Sequence, residues 1–184
     1  MKNLNFETAF KYPFNRAKGL TNIFWIFVPI IGWFALGGYC IRITQEFIKG
    51  KFDKLPEFEF SNDLNLGFYM FLKSLPFAIL YGALSSILDQ KDSGAAWLLN
   101  LFISLFIVPI LTINFYQKQT IASYFEFSTL KPVFEHLGDY TIALLKSILL
   151  GIIFLIMWIV LVGIPAGAFT KNIFLADFYG RRVK

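Results

Sequence analysis

Four long apolar stretches constrain this chain more than anything else in it, and each carries one proline: Pro29, Pro76, Pro109 and Pro165. Residues 19–41, 93–117 and 147–170 contain no charged side chain, and residues 64–88 contain only Lys73. Crossing about 30 Å of hydrocarbon takes about 20 mostly apolar residues, and all four stretches meet that length. Charged residues make up 16% of the 184-residue chain, against about 25% in ordinary soluble domains, too few to cover a water-facing surface. Core helices of soluble bundles are seldom uncharged for so long. The expectation is an all-α integral membrane protein: a single membrane domain over residues 1–184 with four transmembrane helices near 20–41, 66–88, 94–116 and 142–166.

Lys2, Lys11, Arg16 and Lys18 precede the first stretch. That stretch is longer than the roughly 7–15 residues of a cleavable signal core, and no small-residue cleavage site closes it, so an uncleaved anchor is expected. The single cysteine, Cys40, excludes an intrachain disulfide and a cysteine-cluster metal site. The net charge of +5 resides mainly in the tails, where each base near an anionic lipid surface contributes about 1 kcal/mol. Arg181 and Arg182 are therefore candidate lipid-headgroup contacts. No long basic run argues for nucleic acid. Four crossings put both termini on one side, with nine Lys and Arg residues in the tails and the 89–92 loop against six in the first and third connectors. The positive-inside rule then predicts cytoplasmic termini.

The two long connectors carry helical patterns. Tyr39, Ile43 and Phe47 recur at four-residue spacing before Gly50, and Leu130, Val133, Phe134 and Leu137 follow Ser128 and Thr129 with Pro132 in the first turn. The amphipathic segments 42–50 and 129–139 either lie in the membrane interface or pack on the bundle. A weak two-fold internal repeat runs through the chain. Val28-Pro29-Ile30 matches Val108-Pro109-Ile110, Phe58-Glu59-Phe60-Ser61 matches Phe125-Glu126-Phe127-Ser128, and Lys73-Ser74-Leu75 matches Lys146-Ser147-Ile148. Two spans per half make such repeats parallel, related by an axis along the membrane normal.

Lys73 and Lys146 are the leading residue-level candidates, because a lysine in a membrane segment is costly. They either line a polar pathway or bind headgroups, or they snorkel to the interface. Pro29 with Gly32, Pro109, and Pro165 with Gly167 are candidate helix breaks, since proline removes a helix hydrogen bond and clashes with the preceding turn. Ala78 with Gly82 and Gly163 with Gly167 have the small-xxx-small spacing that lets helices approach closely. His136 stands with Glu135 and Asp139, too few ligands for a metal, and reads as an interfacial polar residue. Asp177 either caps a helix or pairs with a base of the C-terminal tail. No nucleophile motif, phosphate loop or paired-carboxylate signature is present, so no catalytic residue, metal or cofactor is expected.

Phe10-Lys11-Tyr12-Pro13-Phe14, Gly37-Gly38-Tyr39, Arg42, Ile48-Lys49-Gly50 and Leu55-Pro56-Glu57-Phe58 follow one another in the first seventy residues, and Phe174-Leu175-Ala176-Asp177-Phe178-Tyr179 lies near the end. This series resembles the domain-of-unknown-function family four thousand and thirteen. The resemblance implies a small polytopic membrane protein of archaea or bacteria, hence a prokaryotic plasma membrane, and implies no activity. The leading functional expectation is a non-enzymatic scaffold or accessory subunit that works with other membrane protein subunits. A small transporter or channel-like protein acting as a homo-oligomer is the alternative, followed by a lipid-modifying membrane enzyme.

Overall fold

The computed structural model describes residues 4–90 and 93–184. Lys2, Lys91 and Asp92, which bear on the charge count and on the 89–92 loop, lie outside the described residues. Every regular element described is helical: α1 (Phe6–Lys11), α2 (Ala17–Leu20), α3 (Ile31–Ile48), α4 (Phe60–Asp89), α5 (Gly94–Phe102), α6 (Val108–Lys118), α7 (Lys131–Glu135), α8 (Leu137–Ile156), α9 (Gly163–Thr170) and α10 (Ile173–Arg182). A π turn, Ile103–Ile107, joins α5 to α6, and short 3₁₀ segments lie at the α1/α2, α2/α3, α6/α7 and α8/α9 joints. Among the described residues three helical segments are long and apolar enough to cross a membrane: Phe60–Asp89, Gly94–Lys118 and Leu137–Ile159.

The first apolar stretch does not form the expected span over 20–41. Thr21–Phe27 is a 3₁₀ segment, and the chain breaks at 28–30 before α3 begins. Pro29 has no N–H for the Trp25 carbonyl, which takes the Val28 N–H at 3.0 Å instead. Ile30, at φ 65° and ψ −67°, then closes a tight γ-turn in which the Ile31 N–H reaches the Pro29 carbonyl at 2.7 Å. The Trp33 indole N–H clips the two limbs together at the Ile26 carbonyl, 2.9 Å away. Gly32 is required here, because a Cβ would stand 1.9 Å from the Trp25 oxygen. The fourth stretch ends in a similar way: 3₁₀ segment Met157–Val160, then Leu161 at φ 58°, then Gly163, whose Cβ would stand 2.0 Å from the Phe154 oxygen. The break therefore falls at 161–162, ahead of Pro165, and the helix predicted to run to 166 stops short of it.

The amphipathic segment 42–50 is the C-terminal half of α3 and lies in the protein core. Tyr39, Ile43 and Phe47 are at most 1% exposed, and Phe47 meets the Tyr12 ring edge-on at 4.9 Å. The segment 129–139 is divided by a turn at His136 between α7 and α8. Its Leu130 and Val133 are buried, while Phe134 and Leu137 face outward.

α3 crosses α4 at glycine. A Cβ on Gly38 would lie 1.9 Å from the Asp63 oxygen, and one on Gly67 would lie 1.8 Å from the Phe34 oxygen. Above this crossing Arg42 holds Asp63 with two bonds, Nε to Oδ1 at 2.9 Å and Nη2 to Oδ2 at 2.7 Å. The fully buried Asp63 carboxylate also takes the Glu59 N–H at 2.8 Å, capping α4.

Beyond this crossing α4 runs on, unbroken by Pro76, into an antiparallel hairpin with α5. Asn100 joins the two helices, donating to Ser85 and to Asp89 at 2.9 Å each. Leu75, Ile79, Leu84 and Ile87 on α4, and Trp97 and Leu98 on α5, are exposed. Pro109 leaves the Leu105 carbonyl without its helical donor. The buried Tyr140 supplies one from α8, its hydroxyl 2.7 Å away, so the helix passes through Pro109 without breaking. The Val-Pro-Ile marks are thus unlike in structure, a reversal at 28–30 and a continuing helix at 108–110.

Alanine at Gly38 or Gly67 should cost about 3 kcal/mol or more by forcing the crossing apart. At Gly82, where nothing lies within 4 Å of a Cβ, alanine should be neutral or slightly favourable. Unfolding of the purified protein in detergent, compared across the three variants, checks this. Equal stability of all three would refute a sterically required crossing.

Candidate functional site

Lys146 and Arg181, two of the predicted headgroup residues, meet in one polar pocket between α8 and α10. α8 positions Lys146 by its two faces: Tyr140, Ala143, Leu150 and Phe154 turn into the core, and Ile142, Leu145, Leu149 and Ile152 turn outward. The lysine lies between these faces. α10 is the most enclosed of the short helices, with every residue from Ile173 to Tyr179 buried. Its Asp177 and Arg181, one turn apart, face α8.

The pocket has a volume of about 160 Å³, and its wall combines Asp139, Lys146, Asp177 and Arg181 with the apolar Ile142 and Phe174. Arg181 grips one oxygen of Asp177, Nε at 3.0 Å and Nη2 at 2.9 Å from Oδ2. Oδ1 of Asp177 is buried with no hydrogen-bond partner among the described residues. Burial pushes the Asp177 carboxyl above the usual aspartate range, against the opposing pull of Arg181 and Lys146. The Lys146 ammonium stands 5.9 Å from the centre of the Phe174 ring. Arg182 lies at the rim and donates to Asp139 at 2.6 Å. Asp177 therefore pairs with a tail base, one of the two readings its position allowed.

The other predicted residues lie elsewhere. Lys73 donates to the Gln119 carbonyl at 2.9 Å, at the left-handed end of α6. The two chain breaks meet at an apolar groove of about 690 Å³, walled by Leu20, Phe24, Phe27, Leu161, Val162 and Pro165. Gly167 backs onto the Phe154 side chain, a Cβ there being 3.4 Å from it. Ala78 and Gly82 face outward on the free part of α4. Among the described residues no group of three or more His, Cys, Asp and Glu side chains is placed to hold a metal ion.

Sequence reasoning missed two polar centres. The Arg42–Asp63 pair joins residues 21 apart that share no local pattern. Asn114, fully buried, receives the Tyr179 hydroxyl at 2.6 Å and donates to the Ser123 carbonyl at 2.6 Å and to Glu126 at 3.2 Å. An amide inside an apolar stretch was a readable signal, because a buried amide needs partners.

A carboxyl whose folded pKa is raised favours the folded state most below its unfolded value of about 3.9, and loses that advantage as pH rises through the folded value. The stability of the wild type relative to Asp177→Asn should therefore fall as pH rises from about 3.9 through the raised value and level off above it. Thermal unfolding of both proteins between acid and neutral pH checks this, and parallel profiles would refute it.

No curated protein and no solved structure matches this chain. The family model described as "Protein of unknown function (DUF4013)" matches residues 22–163. The Tyr12-Pro13 and Phe174–Tyr179 marks fall outside the matched range, while Gly37-Gly38-Tyr39, Arg42 and Leu55-Pro56-Glu57 fall inside it. With most of its length under that match, from before the first chain break to the start of α9, the chain belongs to the DUF4013 family of proteins of unknown function.

Proposed function

We propose that this protein is a non-enzymatic component of a prokaryotic plasma membrane, a scaffold or accessory subunit of a larger membrane assembly. The observation that carries the reading is the α4/α5 hairpin. No part of the described chain covers its outward side chains, so lipid tails or the helices of another subunit must meet them. Ala78, Gly82 and Ser86 form a strip of small residues along it, against which a foreign helix packs closely. The chain breaks support a structural role rather than an ion path, since the groove where they meet is lined by apolar side chains.

The contacts also favour a different crossing pattern from four alternating spans. Asn15 donates to the Asp53 carbonyl at 2.7 Å, and Arg16 pairs with Glu57 at 3.0 Å. The N-terminal segment and the first connector therefore share a side, as do the C-terminal tail and the start of α8 through Arg182 and Asp139. In this arrangement the α4/α5 hairpin crosses the bilayer and its turn alone reaches the far side. Of the seventeen Lys and Arg residues, only Lys91 lies in that turn by sequence, so the positive-inside rule puts the N-terminal segment, the first connector and the C-terminal tail on the cytoplasmic side. The two halves descend from a duplication in this reading. Glu59 pairs with Arg42 at 3.2 Å and Glu126 with Lys118, each on the helix before its Phe-Glu-Phe-Ser mark.

Single cysteines placed at Glu57, Lys131 and Gln90 in a Cys40→Ser background should separate. An impermeant maleimide added to intact cells should label only the Gln90 position. Labelling at Glu57 from outside would overturn the crossing pattern. For the function, purification from native membrane in mild detergent should bring down an unrelated membrane subunit in fixed stoichiometry. Ala78→Leu with Gly82→Leu should release it. A protein that leaves the membrane alone as a monomer would defeat the accessory role.

A further inference from the structure

We propose that the two chain breaks are a pair of re-entrant tips: they enter the bilayer side by side from one face and end near the middle of its hydrocarbon, with lipid tails as their partner. Each excursion is closed by charge at its base and bare at its tip. Arg16 and Arg42, on either side of the first break, both reach Glu57, Arg16 pairing with its carboxylate at 3.0 Å and Arg42 donating to its carbonyl. Asp139 and Arg182, on either side of the second break, pair at 2.6 Å. No charged side chain intervenes between Lys18 and Arg42, or between Lys146 and Lys171. At the tips Phe27 is 77% exposed and Ile159 87%, and Ile30, Trp33 and Leu161 are more than half exposed. Phe27 and Leu161 share the walls of one apolar groove, so the two tips are neighbours.

Length decides between a dip and a crossing. From Arg42 back to Ile30 is twelve residues, about 18 Å at 1.5 Å per residue, against about 30 Å of hydrocarbon. From Leu161 on to the exposed Lys171 is ten residues, about 15 Å at most. α8 is long enough to cross by itself, but its return limb is not. A full crossing would draw Arg42 and Lys171 into lipid at a cost. Non-helical backbone is tolerated in hydrocarbon only where the protein satisfies its polar groups. At the first tip the carbonyls of Trp25, Val28, Pro29 and Ile30 take the N–H groups of Val28, Gly32, Ile31 and Phe34, and the Ile26 carbonyl takes the Trp33 indole. At the second the Leu161 N–H reaches the Trp158 carbonyl at 2.9 Å, and the Ala166 N–H reaches that of Val162 at 3.2 Å. Turns closed in this way can lie in lipid without water. A tightly packed partner helix calls for small residues, whereas the tips present Phe27, Ile30, Trp33, Ile159 and Leu161, whose bulk suits fluid tails. The inference rests on the membrane placement proposed above and fails separately from it: tips found in water or under protein leave the sidedness of Glu57 and Gln90 as it stands.

The test is power saturation of a nitroxide on the full chain, reconstituted into liposomes of phosphatidylcholine and phosphatidylglycerol, with the label at Phe27→Cys or at Ile159→Cys in a Cys40→Ser background. Oxygen, which concentrates in hydrocarbon, should relax both labels more than a water-soluble nickel chelate does, and to a similar degree at the two sites. A label at Lys171→Cys should show the reverse order. A nickel-dominated response at either tip would overturn the proposal by placing that tip in water. A weak response to both reagents would overturn it in favour of a protein cover, whether another subunit or a second copy. On intact cells an impermeant maleimide should label neither tip, and labelling of either from outside would establish a full crossing instead. Both substituted positions are exposed, and a second readout leaves them untouched. With Trp25→Phe and Trp97→Phe in place, the fluorescence of Trp33 and Trp158 should be largely lost in vesicles of phosphatidylcholine brominated on its acyl chains. Undiminished fluorescence there would refute the insertion of the tips.

Discussion

The contact between Gly38 of α3 and Gly67 of α4 fixes the frame from which the rest of the protein is hung. Two backbones come so close that neither position has room for a methyl group. Such contact buries helical carbonyls against one another and leaves dispersion between backbones as the local attraction. It needs reinforcement, and Arg42 supplies it one turn above with a two-pronged grip on the buried Asp63. Removing either partner would strand the other charge, at about 3–5 kcal/mol for a fully buried pair and less here because Arg42 keeps partial contact with water. The crossing sets the direction in which α4 leaves the body, and with it the position of the free hairpin.

The prolines show how one residue type yields opposite outcomes. At Pro29 and at Pro109 alike the carbonyl four residues earlier finds another donor, and the two differ in where that donor comes from. At Pro109 the Tyr140 hydroxyl arrives from a different helix and the run continues through a π turn. At Pro29 the freed carbonyl is taken by the Val28 N–H, which can reach it only because the chain has already begun to reverse. Ile30 holds a backbone conformation that a β-branched residue rarely adopts, at a cost of about 1–3 kcal/mol. Trp33 and the close seat of Gly32 hold it there.

Much of this was legible in the sequence. The helical class, the second and third apolar helices and the interruption near Pro29 follow from charge-free length and from proline chemistry, which are local properties. Lys146 was visible as a costly cation and Arg181 as a base of the tail, but their meeting was not, because it depends on α10 folding back along α8. The first stretch misled because its length and hydropathy suit a span equally well whether it runs straight or doubles back. Nothing in composition distinguishes the two; the γ-turn and the indole clip do. The connector at 42–50 misled for a related reason. An apolar stripe at four-residue spacing specifies that a face is buried and leaves open whether lipid or protein buries it.

Burial of α10 has a consequence for the order in which the protein is built. Asn172 bonds to Thr44, 128 residues earlier, and Tyr179 bonds to Asn114. Gly180 lies so close to the Ile48 carbonyl that a Cβ would be 2.3 Å away. The α4/α5 hairpin closes through contacts between near neighbours in the chain and forms early, since short loops close at little entropic cost. α3, by contrast, keeps one flank bare until α10 has been made and laid against it. α10 is the keystone, and a nascent chain must hold an open, apolar body together until that helix arrives.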